Sequence, residues 1–281
     1  MRDQELFSVV ILLYRNEEYI RCAIDSVLAQ NYPAIELIIA DDHSPEVDLP
    51  AIELYANSHK GPNIQRVLVY QNPENLGTVK NINRALEKAE GRYIKLLAAD
   101  DALYDSAVLS NGRKALDGCP SGVLISQAML CDASLRPIKL FRDEFARSLP
   151  HMSPRQIYRA LCVKNRIVSV GEFYTREFFD RVGLFDERYR LLEDWPLWLR
   201  ISREGISIGY GEFISVKYRS NVGSATSVNS VYLADKEKAF AYEIKPYWKE
   251  LGPVLYLRAW LTLRIRNSVF LRKVYGLMFR R

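Results

Sequence analysis

The chain has 281 residues, of which 48% are hydrophobic and 26% are charged, and its formal net charge is +5. This is an ordinary composition for a soluble globular protein, and the length suffices for one large domain or two small ones. The apolar runs all fall well short of the ~18 residues that a membrane-spanning helix requires, so no such helix is predicted.

The cysteines and histidines give no sign of a disulfide framework or of a zinc site. The four cysteines are widely spaced without a Cys-x-x-Cys pair, and the three histidines do not cluster. Met1 leads directly into a predicted strand without the charged and apolar layout of a signal peptide. We therefore expect free thiols and a cytoplasmic protein.

Strands and helices alternate through the first ~100 residues, which predicts βαβ units and an α/β fold with a mostly parallel sheet. The predicted strands cover residues 7–14, 35–40, 67–70 and the apolar run from Tyr93 to Asp101, and the predicted helices cover 17–30, 50–57 and 78–89. Right-handed crossovers would bring the carboxyl ends of these strands to one edge, where open α/β sheets bind ligands. The polar residues expected at that edge are Tyr14, Asp41, Asp42, Asn75, Asp100 and Asp101.

The adjacent carboxylates Asp100 and Asp101 are the most informative of these residues. Paired carboxylates suit a hard divalent cation, which usually bridges protein to phosphate. The same pair could instead cap a following helix, and the pair alone does not decide between the two.

The other residues at this edge also have two interpretations each. Asp41 and Asp42 could accept hydrogen bonds from a nucleobase or a ribose, or they could cap a turn. Asn75 and Gly77 could direct a helix N-terminus towards a nucleotide, with Lys80 as a phosphate counter-charge, or they could form an ordinary turn beside a solvated lysine.

The second half of the chain is less regular. Its predicted elements are a strand at 123–126, a helix that Ser153 caps and Pro154 begins, a helix at 176–182 before Gly183, and a helix at 194–204 before Gly205. The stretch from 137 to 154 reads as an irregular excursion of mixed charge.

Glu193 and Asp194 stand at the start of the last of these helices. They could cap it, or one of them could be a general base that deprotonates an acceptor hydroxyl. Trp195 and Trp198 could belong to the core or stack on a sugar ring.

Taken in order, five segments resemble family 2 inverting glycosyltransferases of the GT-A fold, and the resemblance runs from about residue 7 to residue 227. The segments are SVVILLY at 8–14, DDHS at 41–44, NLGTVKN at 75–81, LAADD at 97–101, and VGLFDE at 182–187 followed by EDWPLWLR at 193–200. They are similar to the family's opening strand, its Asp-Asp-Gly-Ser turn, its Asn-x-Gly segment, its form of the metal-binding Asp-x-Asp, and its acceptor-side pattern.

The resemblance implies a role for each matched position. Asp42 would contact the uracil or thymine ring, Asp100 the ribose, and Asp101 a Mg²⁺ or Mn²⁺ ion on the donor diphosphate. Asp194 would be the base, with Glu193 beside it, and a single displacement would invert the anomeric carbon. The full set of implied donor-binding residues is Leu13, Tyr14, Glu17, Asp42, Asn75, Gly77, Lys80 and Asp100.

Several positions depart from the family pattern. Leu12 and Arg15 stand where Pro and Asn are usual, and Ala98 replaces the first Asp of Leu-Asp-Ala-Asp-Asp. No histidine follows the Tyr218-Arg219 pair, which puts a third protein ligand to the metal in doubt. The polar segment 224–229 is predicted to be a lid that closes on the donor.

The segment from 253 to 281 contains seven basic residues and no acidic ones. As a helix, 253–278 would collect apolar residues, among them Leu257, Trp260 and Leu263, opposite Arg258 and Arg266, although Asn267 interrupts the apolar side. This pattern is typical of an interfacial membrane anchor, and the alternative is a helix packed on the catalytic domain. We expect peripheral binding to the inner face of the cell membrane.

We therefore predict a glycosyltransferase domain at 1–230, with a nucleotide-sugar half at about 1–120 and an acceptor half at about 121–230, and a basic amphipathic helical extension at 231–281. The predicted function is metal-dependent, inverting transfer of a sugar from a UDP- or dTDP-sugar to a saccharide or polyprenyl-linked acceptor. The predicted role is cell-surface polysaccharide biosynthesis, and no nucleic-acid partner is expected. A catalytically silent nucleotide-sugar-binding scaffold is the alternative. A sugar nucleotidyltransferase would need a glycine-rich loop after the first strand. Residues 14–17 there are Tyr-Arg-Asn-Glu, so the sequence does not favour that class.

Overall fold

The computed structural model describes residues 5–141, 143–220 and 230–267. Its strands form a single sheet in the order β3-β2-β1-β4-β8-β6-β9-β5, and β7 pairs with β6. The strands are β1 (Phe7–Leu13), β2 (Ile35–Asp41), β3 (Ile64–Gln71), β4 (Tyr93–Ala98), β5 (Ala102–Leu103), β6 (Val123–Cys131), β7 (Pro137–Phe141), β8 (Glu172–Thr175) and β9 (Gly209–Arg219).

Helices cover both faces of this sheet. The α-helices are α1 (Ile20–Leu28), α2 (Leu49–His59), α3 (Thr78–Lys88), α4 (Val108–Asp117), α5 (Glu144–Ser148), α6 (Pro154–Val163), α7 (Arg176–Val182), α8 (Asp194–Arg203), α9 (Ser230–Ala239), α10 (Trp248–Leu251) and α11 (Pro253–Asn267). Short 3₁₀ turns at Leu149–His151 and Ser169–Gly171 precede α6 and β8, and a π turn at Phe240–Ile244 follows α9.

The first four long strands are parallel, as predicted. β1 pairs with β2 and β4, and β2 pairs with β3, in parallel register. The second half of the sheet is mixed, because β8 runs antiparallel to both β4 and β6, while β9 runs parallel to β6. The α/β prediction is therefore confirmed, with the parallel arrangement confined to the first half and to the β6–β9 pair.

The prediction of an irregular segment at 137–154 is wrong. Residues Pro137–Phe141 form β7, an edge strand on β6, and Glu144–Ser148 form α5, whose N-terminus is capped by Asp143. β7 has no buried residue and α5 has five residues, so neither carries a hydrophobic period that a sequence pattern would show. The sequence pattern also gave no prediction of α4, β8 and β9.

The core lies in two layers, one on each face of the sheet. Alternate residues of β1 point to opposite layers, with Val10 on one side and Val9 and Ile11 on the other. Helices α1, α2 and α4 cover the layer of Val9, and α3, α6 and α8 cover the layer of Val10. The C-terminal helices add Ala259 and Leu263 to the layer of Val10.

Helix α11 packs against α6. Only part of the side predicted to be apolar packs against the core. Leu263 is buried, whereas Leu257 is 53% exposed and Trp260 is also exposed. Among the described residues no helix is both long and apolar enough to cross a membrane. The predicted lid at 224–229 and the end of the predicted helix beyond residue 267 lie outside the described residues.

Candidate active site

The carboxyl ends of β1, β2 and β4 meet at one edge of the sheet. Leu13 pairs with Asp41, and Leu12 pairs with Ala98. The structure therefore brings the predicted donor-side residues together at the edge where the sequence places them. Leu13 is buried under this edge, whereas Tyr14 and Glu17 follow it as exposed side chains.

Asp41 stabilises the turn that follows β2. Its carboxylate accepts hydrogen bonds from the backbone N–H of Ser44 at 2.9 Å, from the Ser44 hydroxyl, and from Nε2 of Gln71 at 2.8 Å. The turn-capping interpretation therefore accounts for Asp41.

Asp42 holds the loop that carries Asn75 and Gly77. Its carboxylate accepts from Nδ2 of Asn72 at 3.0 Å and from the backbone N–H groups of Leu76 and Gly77 at 2.9 and 2.8 Å. A carboxylate offers about four acceptor positions, so three of them are occupied within the protein. The amide of Asn75 donates to the Asp42 carbonyl as well.

Gly77 begins α3 with φ +88° and ψ 163°, a conformation that is essentially restricted to glycine. A Cβ atom here would lie 2.6 Å from the carbonyl oxygen of Arg190. The Arg190 guanidinium donates to the Asn75 carbonyl at 2.8 Å. The loop is thus packed against the segment that precedes α8, a contact that the sequence did not predict. Lys80 lies exposed on the first turn of α3.

Asp100 and Asp101 lie directly beyond β4. Residues 102 and 103 form β5, so the pair does not cap a helix. Burial raises the pKa of Asp101 to about 7, with a further contribution from the charge of Asp100, and burial also raises the pKa of Asp100. The positive charges of Arg219 and Lys95 oppose the rise at Asp101 without cancelling it, and a bound cation would oppose it further.

Arg219, at the end of β9, ties this pair to the rest of the sheet. Its backbone N–H donates to Oδ1 of Asp101 at 2.8 Å, and its Nε donates to the Asp100 carbonyl at 2.6 Å. Its guanidinium also lies 4.3 Å from the ring centroid of Tyr19. Sequence reasoning noted Tyr218-Arg219 only for the missing histidine, and the arginine itself is a part of the site that it missed.

Two carboxylates fit a Mg²⁺ or Mn²⁺ ion that takes its remaining ligands from water and substrate phosphates. No group of three or more His, Cys, Asp or Glu side chains in the described part of the chain is arranged to enclose a metal ion. The donor set is therefore that of an open site, which a substrate would complete.

Asp194 is the first residue of α8, and its two oxygens have different partners. Oδ1 accepts from the backbone N–H of the next residue, Trp195, at 2.6 Å, and α8 has no side-chain capping bond. Oδ2 accepts from Nδ2 of Asn165 at 2.6 Å and from the Ser169 hydroxyl at 2.9 Å. Burial raises the pKa of Asp194, and the hydrogen bonds from Ser169 and Asn165 oppose that rise.

Glu193 precedes α8 without a side-chain capping bond. Burial, together with the negative charges of Asp194 and Glu172, raises its pKa well above the usual range. Burial raises the pKa of both residues, and Asp194 is the better candidate for the base because Asn165 and Ser169 orient its carboxylate. Trp195 and Trp198 are both buried, which confirms the core interpretation for these two side chains.

A cavity of about 840 Å³ lies beside the start of α8. Asn165 and Trp195, two of the three residues that donate to Asp194, line it. Helices α9 and α11 also line it, for example through Tyr232 and Thr262.

The profile of the family described as Glycosyl transferase family 2 matches residues 8–179, which is more than half of the chain. The chain belongs to glycosyltransferase family 2. An uncharacterized glycosyltransferase of Haemophilus influenzae is 23% identical, over 98% of this chain and 82% of its own length. A PGL/p-HBAD biosynthesis glycosyltransferase of Mycobacterium bovis is 22% identical, over 79% of this chain and 80% of its own length.

Solved structures show the same fold. Staphylococcus aureus TarS 1–349, in complex with UDP-GlcNAc, gives a TM-score of 0.62 at 16% identity, covering 94% of this chain and 82% of that one. The mannosyltransferase PcManGT from Pyrobaculum calidifontis, in complex with GDP-Man and Mn²⁺, gives 0.59 at 17% identity, covering 96% and 78%. The predicted GT-A fold and the predicted glycosyltransferase activity are therefore confirmed.

Proposed function

We propose that this family 2 glycosyltransferase is a metal-dependent, inverting enzyme that transfers a sugar from a UDP- or dTDP-sugar to a hydroxyl group. The observation that carries the proposal is the pairing of two acidic centres. Asp100 and Asp101 lie at the carboxyl edge of the parallel strands, and Asp194 lies at the start of α8 with its carboxylate oriented by Asn165 and Ser169.

The donor would lie along the edge formed by β1, β2 and β4. Asp42 has one acceptor position left for a base N–H, because three are occupied within the protein. The other residues that we propose to contact the donor are Leu13, Tyr14, Glu17, Asn75, Gly77 and Lys80. Asp100 would bind the ribose. Asp101 would hold Mg²⁺ or Mn²⁺, and a divalent ion there supplies positive charge against the donor diphosphate. PcManGT, a fold neighbour, was solved with GDP-Man and Mn²⁺.

In the proposed reaction, the Asp194 carboxylate takes the proton of the acceptor hydroxyl. The hydroxyl oxygen then forms a bond to the anomeric carbon while the bond from that carbon to the diphosphate oxygen breaks. The nucleoside diphosphate leaves with the electron pair, and the configuration inverts. A pKa that burial raises makes the Asp194 carboxylate a stronger base than one in water.

We further propose a saccharide or polyprenyl-linked acceptor, and a role in cell-surface polysaccharide biosynthesis. The exposed apolar side chains of α11, with Arg258 and Arg264 on the same helix, support placement at the inner face of the membrane. This placement would bring the enzyme to a lipid-linked acceptor.

The test measures sugar transfer and nucleotide-sugar hydrolysis by Asp194→Asn and Asp101→Asn, with and without Mn²⁺. Loss of a general base reduces the rate by about 10²–10⁴-fold, so Asp194→Asn should lose transfer to that extent while it still binds the donor. Asp101→Asn should lose the response to Mn²⁺. Full transfer by either variant would refute the mechanism.

One observation favours the silent-scaffold alternative, because Ala98 replaces a carboxylate at the end of β4. A scaffold would bind a UDP-sugar but would neither transfer nor hydrolyse it. Hydrolysis of a UDP-sugar by the wild type that requires Mn²⁺ and is lost in Asp101→Asn would eliminate this alternative.

A further inference from the structure

The cavity beside Asp194 has walls from two parts of the chain. The loop from 163 to 168 supplies one wall and contains Asn165, whose amide donates to Oδ2 of Asp194 at 2.6 Å. Helices α9 and α11 supply another wall. A molecule in this cavity would therefore contact the C-terminal helices and the neighbourhood of the base together.

The charges of the cavity are unevenly placed. Lys164 and Arg166 come from the loop, and Lys236 comes from α9, so cations contribute to both walls. The acidic residues Asp143 and Glu144 come from the start of α5 alone. The carboxylate of Asp143 already accepts from the backbone N–H groups of Ala146 at 2.9 Å and Val168 at 3.4 Å, so its charge is partly satisfied inside the protein.

Aromatic rings accompany these cations. The Arg166 guanidinium lies 4.5 Å from the ring centroid of Phe145, and the Lys236 ammonium lies 4.3 Å from that of Tyr232. Aromatic surfaces beside hydrogen-bonding groups suit a sugar ring, and cations beside them suit an anionic substituent.

We propose that this cavity binds the acceptor, and that it selects a saccharide that carries an anionic group such as a phosphate or a sulfate. The inference rests on the proposed function and goes beyond it by naming the acceptor class. It also gives α9 and α11 a place in acceptor selection, independent of any contact with a membrane.

The test uses maltotriose and sulfated maltotriose as probes, with binding measured by calorimetry in the absence of lipid. Wild type should bind the sulfated probe at least about tenfold more tightly, a preference of ~1.4 kcal/mol. Lys164→Glu combined with Arg166→Glu should remove this preference. The matched control is Lys245→Glu combined with Lys249→Glu, which reverses two exposed charges outside the cavity and should leave the preference intact.

A second pair of variants tests the wall formed by α11. Thr262→Trp places a large ring in the cavity and should abolish binding of both probes, whereas Leu54→Trp, on the exposed side of α2, should bind both as wild type does. Equal binding of the two probes by wild type, or unchanged binding by Thr262→Trp, would overturn the proposal.

Binding of UDP with Mn²⁺, followed by thermal shift, reports the donor site separately. Variants that retain UDP binding and lose the sulfated probe support the acceptor proposal alone. A wild type that binds the sulfated probe with the expected variant pattern, but shows no Asp194-dependent transfer, would contradict the proposed function and leave the cavity assignment standing.

Discussion

The Asp194 carboxylate shows how a single candidate residue depends on partners that are distant in sequence. Oδ1 accepts the N–H of Trp195, whereas Oδ2 is oriented by Asn165 and Ser169. The sequence indicates an acidic residue at a helix start, but Asn165 and Ser169 lie in a stretch without any hydrophobic period. Only the folded chain brings them to the carboxylate.

The Ser169 hydroxyl should tune the pH dependence of the reaction. Its hydrogen bond favours the charged form of Asp194 and lowers the pKa against the effect of burial, so Ser169→Ala should raise that pKa. Because the proposed base acts in its charged form, the acid limb of the kcat profile should move to higher pH in this variant.

Ser126→Ala is the control for this measurement. Ser126 donates to the carbonyl of Gly171, in the same 3₁₀ turn as Ser169, without contacting Asp194. The acid limb of the kcat profile of Ser126→Ala should stay at the wild-type pH. A uniform loss of kcat in Ser169→Ala, with the limb at the wild-type pH, would show that Ser169 does not act through the pKa of Asp194.

Lys95 is a second residue whose role only the structure reveals. It is fully buried in β4, where its ammonium donates to the carbonyl of Val170 at 2.8 Å. Val170 belongs to the turn that carries Ser169, so Lys95 supports a partner of the base. Burial lowers its pKa to about 8, and the nearby Glu172 has a pKa that burial raises to about 8. In the sequence this lysine merely interrupts an apolar strand.

At the scale of elements, the spacing of apolar residues and the residues typical of helix ends predicted the helices and strands that depend on local sequence. The capping box of Ser153 and Gln156 begins α6 where the Ser-Pro pair indicates, and Gly183 ends α7. β9 depends instead on β5 and β6, which are far away in sequence, and its buried residues do not alternate regularly. β7 pairs with the neighbouring β6, and it has no buried residue that would mark it as a strand.

The loop between β3 and α3 should be intolerant of any side chain at residue 77. Gly77→Ala meets a backbone penalty of about 1–3 kcal/mol and also places a Cβ atom against the carbonyl oxygen of Arg190. We expect a lower melting temperature and a KM for the nucleotide sugar that rises roughly tenfold, or ~1.4 kcal/mol.

Gly183→Ala separates these two effects. Gly183 has nearly the same backbone conformation, with φ +78° and ψ 171°, but nothing lies within 4 Å of a Cβ atom built there. This variant should lose stability through the backbone penalty alone and keep the wild-type KM. If Gly77→Ala behaves in the same way, the contact with Arg190 does not shape the donor site.

At the scale of the whole molecule, the C-terminal helices are joined to the catalytic half. Asp235 of α9 accepts from the backbone N–H groups of Arg190 and Leu191 at 2.8 and 2.7 Å, and Arg190 in turn contacts the Asn75 loop. The sequence shows the basic, apolar character of the last segment. It does not show this contact, because Asp235 lies on a helix without a clear apolar side.

The outward side of α11 should bind an anionic membrane surface. Val254 is 82% exposed, and Leu257 and Leu261 are exposed on the same side, close to Arg258. Leu257→Asp combined with Leu261→Asp should reduce co-sedimentation with phosphatidylglycerol-containing vesicles at least roughly tenfold, because burial of a leucine contributes about 1.5–3 kcal/mol. Substitution is a sharper test than deletion of α11, since deletion would uncover the core at Leu263.

Leu54→Asp provides the control for membrane binding. Leu54 is 71% exposed on α2, so the substitution adds a charge at an equally open apolar position on another helix. Its sedimentation should match that of wild type. Equal loss in both variants would mean that net charge, rather than α11, governs binding.

The bond between the Arg219 backbone and Asp101 joins residues 118 positions apart. β5 follows Asp101 directly, yet its hydrogen-bonded partner is β9, which also ends at Arg219. Proteins are synthesised from the N-terminus, so the four parallel strands can assemble on the ribosome long before β9 emerges. During that interval a nascent chain would present the acidic pair without its backbone donor. Under the proposed function, the acidic pair would gain this donor to Asp101 only after most of the polypeptide has been made.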